Sequence, residues 1–441
     1  MSLLRELCLP ARPAPHLMAA TLTRSGALRD DFFLYCGRDE ARLAGDWLAS
    51  VTVWSDRVTL EQDGRVVVSE PARDPLAQVG RLLDSVRQTT WTAYGYLAFD
   101  LARAYFPYRW ARDEPLLRLC IPRVEIAWKG NRVQVRAAAD PDRIMGLLAG
   151  AGDGAGFIPV PTPLAIAPTD RDSFCQRVEE LRTAIRAGHL EKAILSRRYC
   201  VPGHLDLLQT YAAGASVNRA PRSFCFRLGS VGAVGFSPEI LLKSNGRGRV
   251  VTNPLAATRG RGATAEEDSR LRAELFRDPK EVKEHAMSVL LAQEELASVC
   301  RPESVHVTGF MAVKKFRCVQ HLSSHVRGQL VPGRNAWDAI RAVFPGVTVS
   351  GIPKPEALHW IGALEGEPRG VYGGAVGWVD QAGRLDLAIA LRTVFQYGDT
   401  FQLAAGAGIL AESQPEREYA ESVLKMNTMA SQLVLSAGRV P

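Results

Sequence analysis

The chain reads as an α+β protein, on three observations. Its first third is built of short alternating apolar and polar runs. The remainder mixes helical periodicities with apolar strands, and a glycine- and proline-rich stretch separates the two. No tandem repeat or low-complexity tract interrupts this order.

Arg57 to Glu70 (RVTLEQDGRVVVSE) alternates on either side of Asp63-Gly64, a hairpin signal, and Val124 to Ala137 repeats the pattern around Gly130-Asn131. Between them, the aromatic-rich Trp91 to Asp100 is expected as a buried strand leading into a short helix. Residues 1–149 thus form a strand-rich portion, and Gly150 to Pro168 (GAGDGAGFIPVPTPLAIAP) is the clearest linker. Residues 169–437 follow as a mixed region. Phe174, Val178, Leu181 and Ile185 predict a helix over Asp170 to Gly188, and a strand with apolar middle Ala193 to Leu195 runs on to Tyr199. Asp278-Pro279 starts a second helix, with Glu281 placed to complete a capping box and Val282, Ala286, Val289 and Leu296 as its apolar face. A third begins near Ser413, with Glu416 three residues on, and runs through Tyr419, Val423, Met426 and Leu433 toward Gly438.

Composition sets bounds. With 441 residues, 46% hydrophobic and 23% charged, the chain can bury a large core without covalent staples. The eight cysteines contain no C-x-x-C pair, which argues against a disulfide framework or zinc site and for a reducing, cytoplasmic setting. Met1 to Ala20 is broken by Pro10, Pro13 and Pro15 and lacks a signal-type apolar core, and no run is long enough to span a membrane. The net charge of +7 is dispersed rather than gathered into a basic stripe, so no nucleic acid is expected, while an anionic small molecule suits the field.

Several side chains are candidates for chemistry. Glu418, Glu421 and Lys425 share a helix face, as do Glu281 and Glu284, and carboxylates from two helices can hold Mg²⁺. The same spacing describes a solvated, salt-bridged face. Arg392 follows LDLAIAL beside the small Ala388 and Ala390, which suits a carboxylate clamp or an arginine reaching water. Lys192 enters an apolar strand, where burial favours a general base and a strand mouth favours snorkelling. Glu239, after Gly235-Phe236-Ser237-Pro238, is the matching candidate acid or an exposed turn residue. Gly373, Gly374, Gly406 and Gly408 offer close backbone approach to an anion, a weak signal taken singly. His321 and His359 lack metal-ligand spacing, and His359 reads as structural.

Taken together, the ordered blocks KAILSRRY (192–199), GFSPEI (235–240), NPLAATRGRG (253–262), DPKEVKEHA (278–286), VQHLSSHVRGQL (319–330), FPGVTVSGIPKPEAL (344–358), PRGVYGGAVGWVD (368–380), LDLAIALRT (385–393) and AAGAGILAESQPEREYAESVLK (404–425) resemble the chorismate-utilising enzymes: anthranilate, aminodeoxychorismate, isochorismate and salicylate synthases. The similarity runs from about Asp170 to Asn427 and lies closest to salicylate synthases of siderophore or antibiotic pathways. It implies a single large α+β domain of two antiparallel β-sheets packed across each other with helices outside, the linker being an internal crossing. It also implies chorismate as substrate. Glu284 and Glu421 would bind Mg²⁺, with Glu281 and Glu418 holding its waters. Arg392, Tyr372 and the backbone near Gly406 would hold the pyruvyl carboxylate, and Lys425, Thr258, Thr348 and Leu391 would line the pocket. Lys192, Glu239 and His321 form the catalytic set. In the family, ammonia-using members carry glutamine where this strand has Lys192, so water is the expected nucleophile and no glutaminase subunit is expected. A monomer or homodimer is expected. One departure stands out: Ala257-Thr258 replaces the usual Gly-Thr at a substrate-lining turn, which bears most on the pyruvate-releasing step.

Overall fold

Two long strands organise the chain in the computed structural model, which describes residues 3–8, 14–86, 90–106, 108, 114–137, 139–150, 159–316 and 319–436. Glu40–Val53 and Leu117–Lys129 run antiparallel from Glu40 opposite Lys129 to Val53 opposite Leu117. A bulge between Trp47 and Ala49, next to Asp46 at φ 52°, divides the ribbon into halves with different neighbours.

From one half grows the first arm. Val53 and its neighbours pair with Arg57–Gln62 and then Arg65–Pro71. On the other side, Leu117 to Cys120 pairs with Thr92–Leu97, followed by Ala375–Asp380, Arg384–Ile389, Ile240–Asn245, Arg249–Thr252 and Val319–Gln329. That last strand also carries Leu255–Gly260 and His306–Lys315. From the other half grows the second arm: Phe32–Cys36, Arg222–Leu228, Val231–Ser237, Thr393–Tyr397, Thr400–Ile409, Lys192–Pro202 and the short Gly351–Ile352. Arg132–Ala137 and Leu3–Cys8 complete its opposite edge. Among the described residues every strand pairing is antiparallel.

The arms face each other. Phe33, Tyr35, Phe224, Phe226 and Phe395 of the second arm meet Tyr94, Tyr96, Val376 and Ala388 of the first in one buried cluster. Their outer faces carry the helices. Pro75–Ser85, Pro279–Ala297 and Ala336–Val343 pack on the first arm, and Pro15–Arg24, Pro141–Ala149, Leu207–Val217 and Pro415–Ala430 on the second. Arg171–Arg186 and Lys354–Glu365 cover strand Lys192–Pro202. The expected two packed sheets are thus two arms of one hydrogen-bonded network. Strands from before residue 149 and after 169 alternate within both arms. Of the linker, residues 151–158 lie outside the described residues. Thr162 and Leu164 donate their N–H groups to the carbonyls of Leu433 and Ala430 at 2.7 and 2.9 Å.

Both hairpins form, with Asp63 at φ 51° and Gly64 at φ 75° in the first turn, the left-handed pair a two-residue hairpin loop requires. Trp91 to Asp100 holds strand Thr92–Leu97 and then the 3₁₀ turn Phe99–Ala104. Two helix readings need correction. Asp278 caps the helix it precedes, accepting from the N–H groups of Lys280 and Glu281, but Glu281 does not close a capping box, because its carboxylate is engaged by Thr258 and Arg259. The buried face of that helix starts with Glu281, His285 and Ser288 and becomes apolar only at Val289, while Val282 and Ala286 are half-buried. The last helix starts at Pro415 rather than near Ser413 and ends at Ala430. Ser413 instead accepts from the Leu410 N–H and donates to the Gly408 carbonyl, so its hydroxyl is used before the helix begins. Gly438 lies outside the described residues.

Arg369 ties these layers together. Its guanidinium donates to the carbonyls of Val349 and Ile194, both at 2.6 Å, and to Glu365 at 2.8 Å, and it lies over the Phe99 ring. Both side chains of the Arg369–Glu365 pair are almost fully buried. Removing one partner of such a pair strands the other charge without solvent. Arg369→Leu is therefore expected to lower stability by about 3–5 kcal/mol in urea unfolding. A loss within about 1 kcal/mol, the range of exposed ion pairs, would show that the fold does not depend on this tie.

Candidate active site

The far ends of the two arms, with helices Pro279–Ala297 and Pro415–Ala430, enclose a cleft. It is lined by Glu239, Ala257, Thr258, Glu281, Glu284, His321, Thr348, Tyr372, Leu391, Arg392, Gly406, Glu421 and Lys425. Two residues of the expected set are not on its wall. Lys192 is fully buried, its ammonium held by Glu284 at 3.0 Å and the Ser288 hydroxyl at 3.1 Å. Glu418 is buried and held by Lys280 at 2.6 Å.

Each wall follows from local structure. Glu239 leaves the end of strand Val231–Ser237 through Pro238, and the Ser237 hydroxyl ties the turn to the Ile389 and Glu239 carbonyls. Its carboxyl accepts from the Thr348 hydroxyl at 2.6 Å and the Leu255 N–H at 3.2 Å. Burial dominates over these hydrogen bonds and over Lys192 and Lys314, and pushes Glu239 up to about 7. A carboxyl so placed holds a proton into the neutral range while facing the cleft.

Ala257 sits at a bulge between Leu255–Gly260 and Val319–Gln329 with φ +63°. The bulge orients the Ala257–Thr258 peptide, whose N–H and carbonyl point to opposite sides. The Thr258 N–H donates to Glu281 at 2.9 Å, and the Ala257 carbonyl lies 3.1 Å from His321 Nδ1. A carbonyl can only accept, so Nδ1 carries the proton and Nε2 presents its lone pair to the Arg392 guanidinium, 3.5 Å away. Burial, reinforced by the charges of Arg392 and Lys425, drives His321 down to about 3, which keeps it neutral. Arg392 lies beyond the end of strand Arg384–Ile389 at φ 52°, so a left-handed backbone delivers the guanidinium where simple alternation does not. Tyr372, pushed by burial up to about 12, stays a neutral donor.

Three glutamates form the remaining wall with Glu418 behind them, each with one cation: Glu284 with Lys192, Glu281 with Arg259, Glu418 with Lys280 and Glu421 with Lys425. They feel one another. Burial, and then the charges of Glu284 and Glu421, raise Glu281 to about 7. Burial also raises Glu418 despite Lys280, whereas for Glu421 burial is the largest single influence but Lys425, with Lys280 and His321, together outweigh it and the carboxyl sits below its usual range. Among the described residues, no three His, Cys, Asp or Glu side chains form a group that holds an ion directly. Mutually repelling, oxygen-only donors nevertheless fit a small hard divalent cation bound by two carboxylates and completed by water and an anionic ligand.

Sequence reasoning missed Lys280, Arg259 and Ser288, which hold the acids and Lys192 in place. Lys280 sits between Pro279 and Glu281 in an already quoted block, and adjacency was its one signal. Gly406 and Gly408 lie on the cleft wall and also make room for neighbouring side chains. A methyl on Gly408 would meet Glu284 Oε1 at 2.3 Å, and one on Gly406 would crowd Ile194 and the Tyr372 hydroxyl. Gly406 contributes its carbonyl, which accepts from Lys425 at 2.7 Å.

Comparison with known proteins agrees with this cleft. A family model described as chorismate binding enzyme matches residues 44–431. A salicylate synthase of Mycolicibacterium paratuberculosis is 35% identical over 429 residues, covering 96% of this chain and 94% of the relative. An anthranilate synthase component 1 of Haloarcula marismortui is 33% identical, covering 93% and 91%. The crystal structure of anthranilate synthase component I from Streptococcus pneumoniae superposes with a TM-score of 0.76 at 28% identity, covering 89% of this chain and 92% of that one. Among the described residues no helix is long and apolar enough to cross a membrane. With the family model matched from residue 44 to 431 and the fold shared along nearly the whole chain, this protein belongs to the chorismate binding enzymes.

Proposed function

We propose that this chain is a salicylate synthase that converts chorismate to salicylate and pyruvate through isochorismate, with Mg²⁺ as cofactor and water as nucleophile. The observation that carries the reading is Glu239, a buried carboxyl on the same cleft as Arg392, which burial pushes up to about 7. Full-length similarity to a salicylate synthase and the lysine at 192, where ammonia-using members carry glutamine, support it.

Arg392 and Tyr372 would hold the pyruvyl carboxylate, with His321 accepting from Arg392 and so fixing its plane. Mg²⁺ supplies charge neutralisation for the ring carboxylate when bound, with Glu284 and Glu421 as its holders and Glu281 and Glu418 on its waters. In the first step a water oxygen bonds to C2, and the two ring double bonds each shift one position. The C4–O bond breaks, and the departing hydroxyl takes the Glu239 proton and leaves as water. Lys192 would take the proton of the attacking water as the neutral amine, its own ammonium proton having first passed to Glu284, 3.0 Å away. Loss of pyruvate then needs the ring and side chain held in place more than acid–base groups.

Purified protein incubated with chorismate and Mg²⁺ is expected to release salicylate and pyruvate in equal amounts, resolved by chromatography with fluorescence detection. Isochorismate alone would place the chain with enzymes that stop after hydroxylation. Lys192→Gln is expected to abolish hydroxylation without unfolding the chain, and full activity in it would remove Lys192 from the reaction. Glu421→Gln should raise the Mg²⁺ needed for half-maximal activity at least about tenfold; an unchanged titration would sink the metal assignment. Glu239 also links stability to pH. Its folded value near 7 exceeds the ordinary 4.5, so the folded chain holds the extra proton between them, and stability falls as pH rises through that window and levels above it. Glu239→Gln should remove roughly 3 kcal/mol of that fall, measured as the difference between wild-type and variant urea curves from acid to neutral pH. Parallel curves would contradict the assignment.

A further inference from the structure

One cation near Glu239 has no task in the reading above. Lys314 lies on strand His306–Lys315 directly opposite His321 in the antiparallel register, so both side chains leave the sheet on the same face, the one His321 turns to the cleft. Among the described residues Lys314 is in no ion pair. Its ammonium donates to Asn253 Oδ1 at 2.8 Å. Asn253 is buried, and its amide donates to the Ser324 carbonyl at 2.6 Å and the Ser323 hydroxyl at 3.1 Å. Two residues further on, the Leu255 N–H binds the Glu239 carboxyl. Burial holds Lys314 below the ordinary ammonium range, and Glu239 is the carboxylate that acts against that.

We propose that Lys314 is a positioning residue for Glu239: through Asn253 it fixes the segment whose Leu255 N–H binds the carboxyl, and its charge offsets the carboxylate left once the proton has gone to the leaving hydroxyl. The proposal rests on Glu239 being the proton donor. Of the charged and titratable groups around Glu239, Lys192 comes from strand Lys192–Pro202 and Lys314 from strand His306–Lys315, while His321, Arg392, Glu281 and Glu284 stand elsewhere on or under the cleft wall. Lys192 is paired with Glu284 at rest and changes its protonation during the reaction, whereas Lys314 is in no ion pair among the described residues and keeps its charge throughout.

The test is a titration of the full chain labelled with carboxyl-¹³C glutamate. The Glu239 resonance is identified by its absence in Glu239→Gln, and chorismate turnover is measured on the same samples. Lys314→Met and Lys314→Gln should each raise the Glu239 midpoint by roughly half a pH unit or more, about threefold in proton affinity, and shift the matching limb of the pH–rate profile with it. Lys314→Arg should restore both. An unmoved midpoint in the neutral variants, with turnover intact in the wild type, overturns the role of Lys314 alone. A moved midpoint without any turnover in the wild type upholds the coupling and sinks the reaction reading instead. Two neutral variants are used so that a folding failure in one leaves the other to decide.

Discussion

The cleft depends on one electrostatic constraint: four glutamates, three on one wall and Glu418 behind it, are wholly or largely withdrawn from water, and each needs a positive partner. Isolated buried carboxylates shed their charge or unfold the site. Here Lys192, Arg259, Lys280 and Lys425 prevent both outcomes, and each comes from an element whose position is fixed by something else. Lys192 is held in register by Gly351–Ile352, where a side chain on Gly351 would strike the Lys192 carbonyl. Helix Pro415–Ala430 is pinned by Arg197, whose guanidinium pairs with Asp170 and lies over the Tyr419 ring. The polar first half of the other helix face is therefore a consequence of the site. Glu281, His285 and Ser288 occupy positions that packing alone would fill with apolar side chains.

Two departures from ordinary backbone give the opposite wall its shape. Ala257 and Arg392 both adopt positive φ, where only glycine sits without cost. At Ala257 the bulge orients the single Ala257–Thr258 peptide so that its carbonyl meets His321 and its N–H meets Glu281. At Arg392 it carries the guanidinium across from the strand to His321. The neutral imidazole thus links two strained positions, its Nδ1 proton on one and its Nε2 lone pair toward the other. Strain of this kind persists only where the surroundings over-determine it.

The sequence carried the hairpins, the helices after Asp170 and Asp278, and the alternation of Leu385, Leu387 and Ile389 against Ala388 and Ala390, because each depends on local periodicity or turn chemistry. The cleft-facing residues were legible chiefly through the ordered blocks. Their spacing alone described a solvated helix face equally well. What stayed hidden was which group answers which. No local rule says that Glu281 abandons a capping box for Thr258 and Arg259, or that Lys192 lies beneath Glu284 rather than beside the substrate space. Such choices are set by contacts between residues far apart in the chain, 23 positions for Glu281 with Thr258 and 96 for Lys192 with Ser288, and only the folded chain brings them together. The sharing of the Glu40–Val53 and Leu117–Lys129 ribbon between two arms was equally invisible, since it depends on a bulge within an otherwise regular strand.

Ala257 is where these threads meet. A glycine there would adopt φ +63° freely, and alanine costs about 1–2 kcal/mol in that region. Against this, its methyl is buried with Leu275 and Leu322, worth about 0.8 kcal/mol for a group of that size, and alanine loses roughly 0.4–1 kcal/mol less chain entropy on folding than glycine. The terms nearly cancel, so alanine is tolerated without the bulge having to relax. The consequence is geometric. The Ala257 carbonyl still meets His321, and the Thr258 N–H still meets Glu281. Alanine at this turn therefore leaves its hydrogen bonds in place, and any effect on the proposed loss of pyruvate has to come from the added methyl itself and not from a displaced backbone.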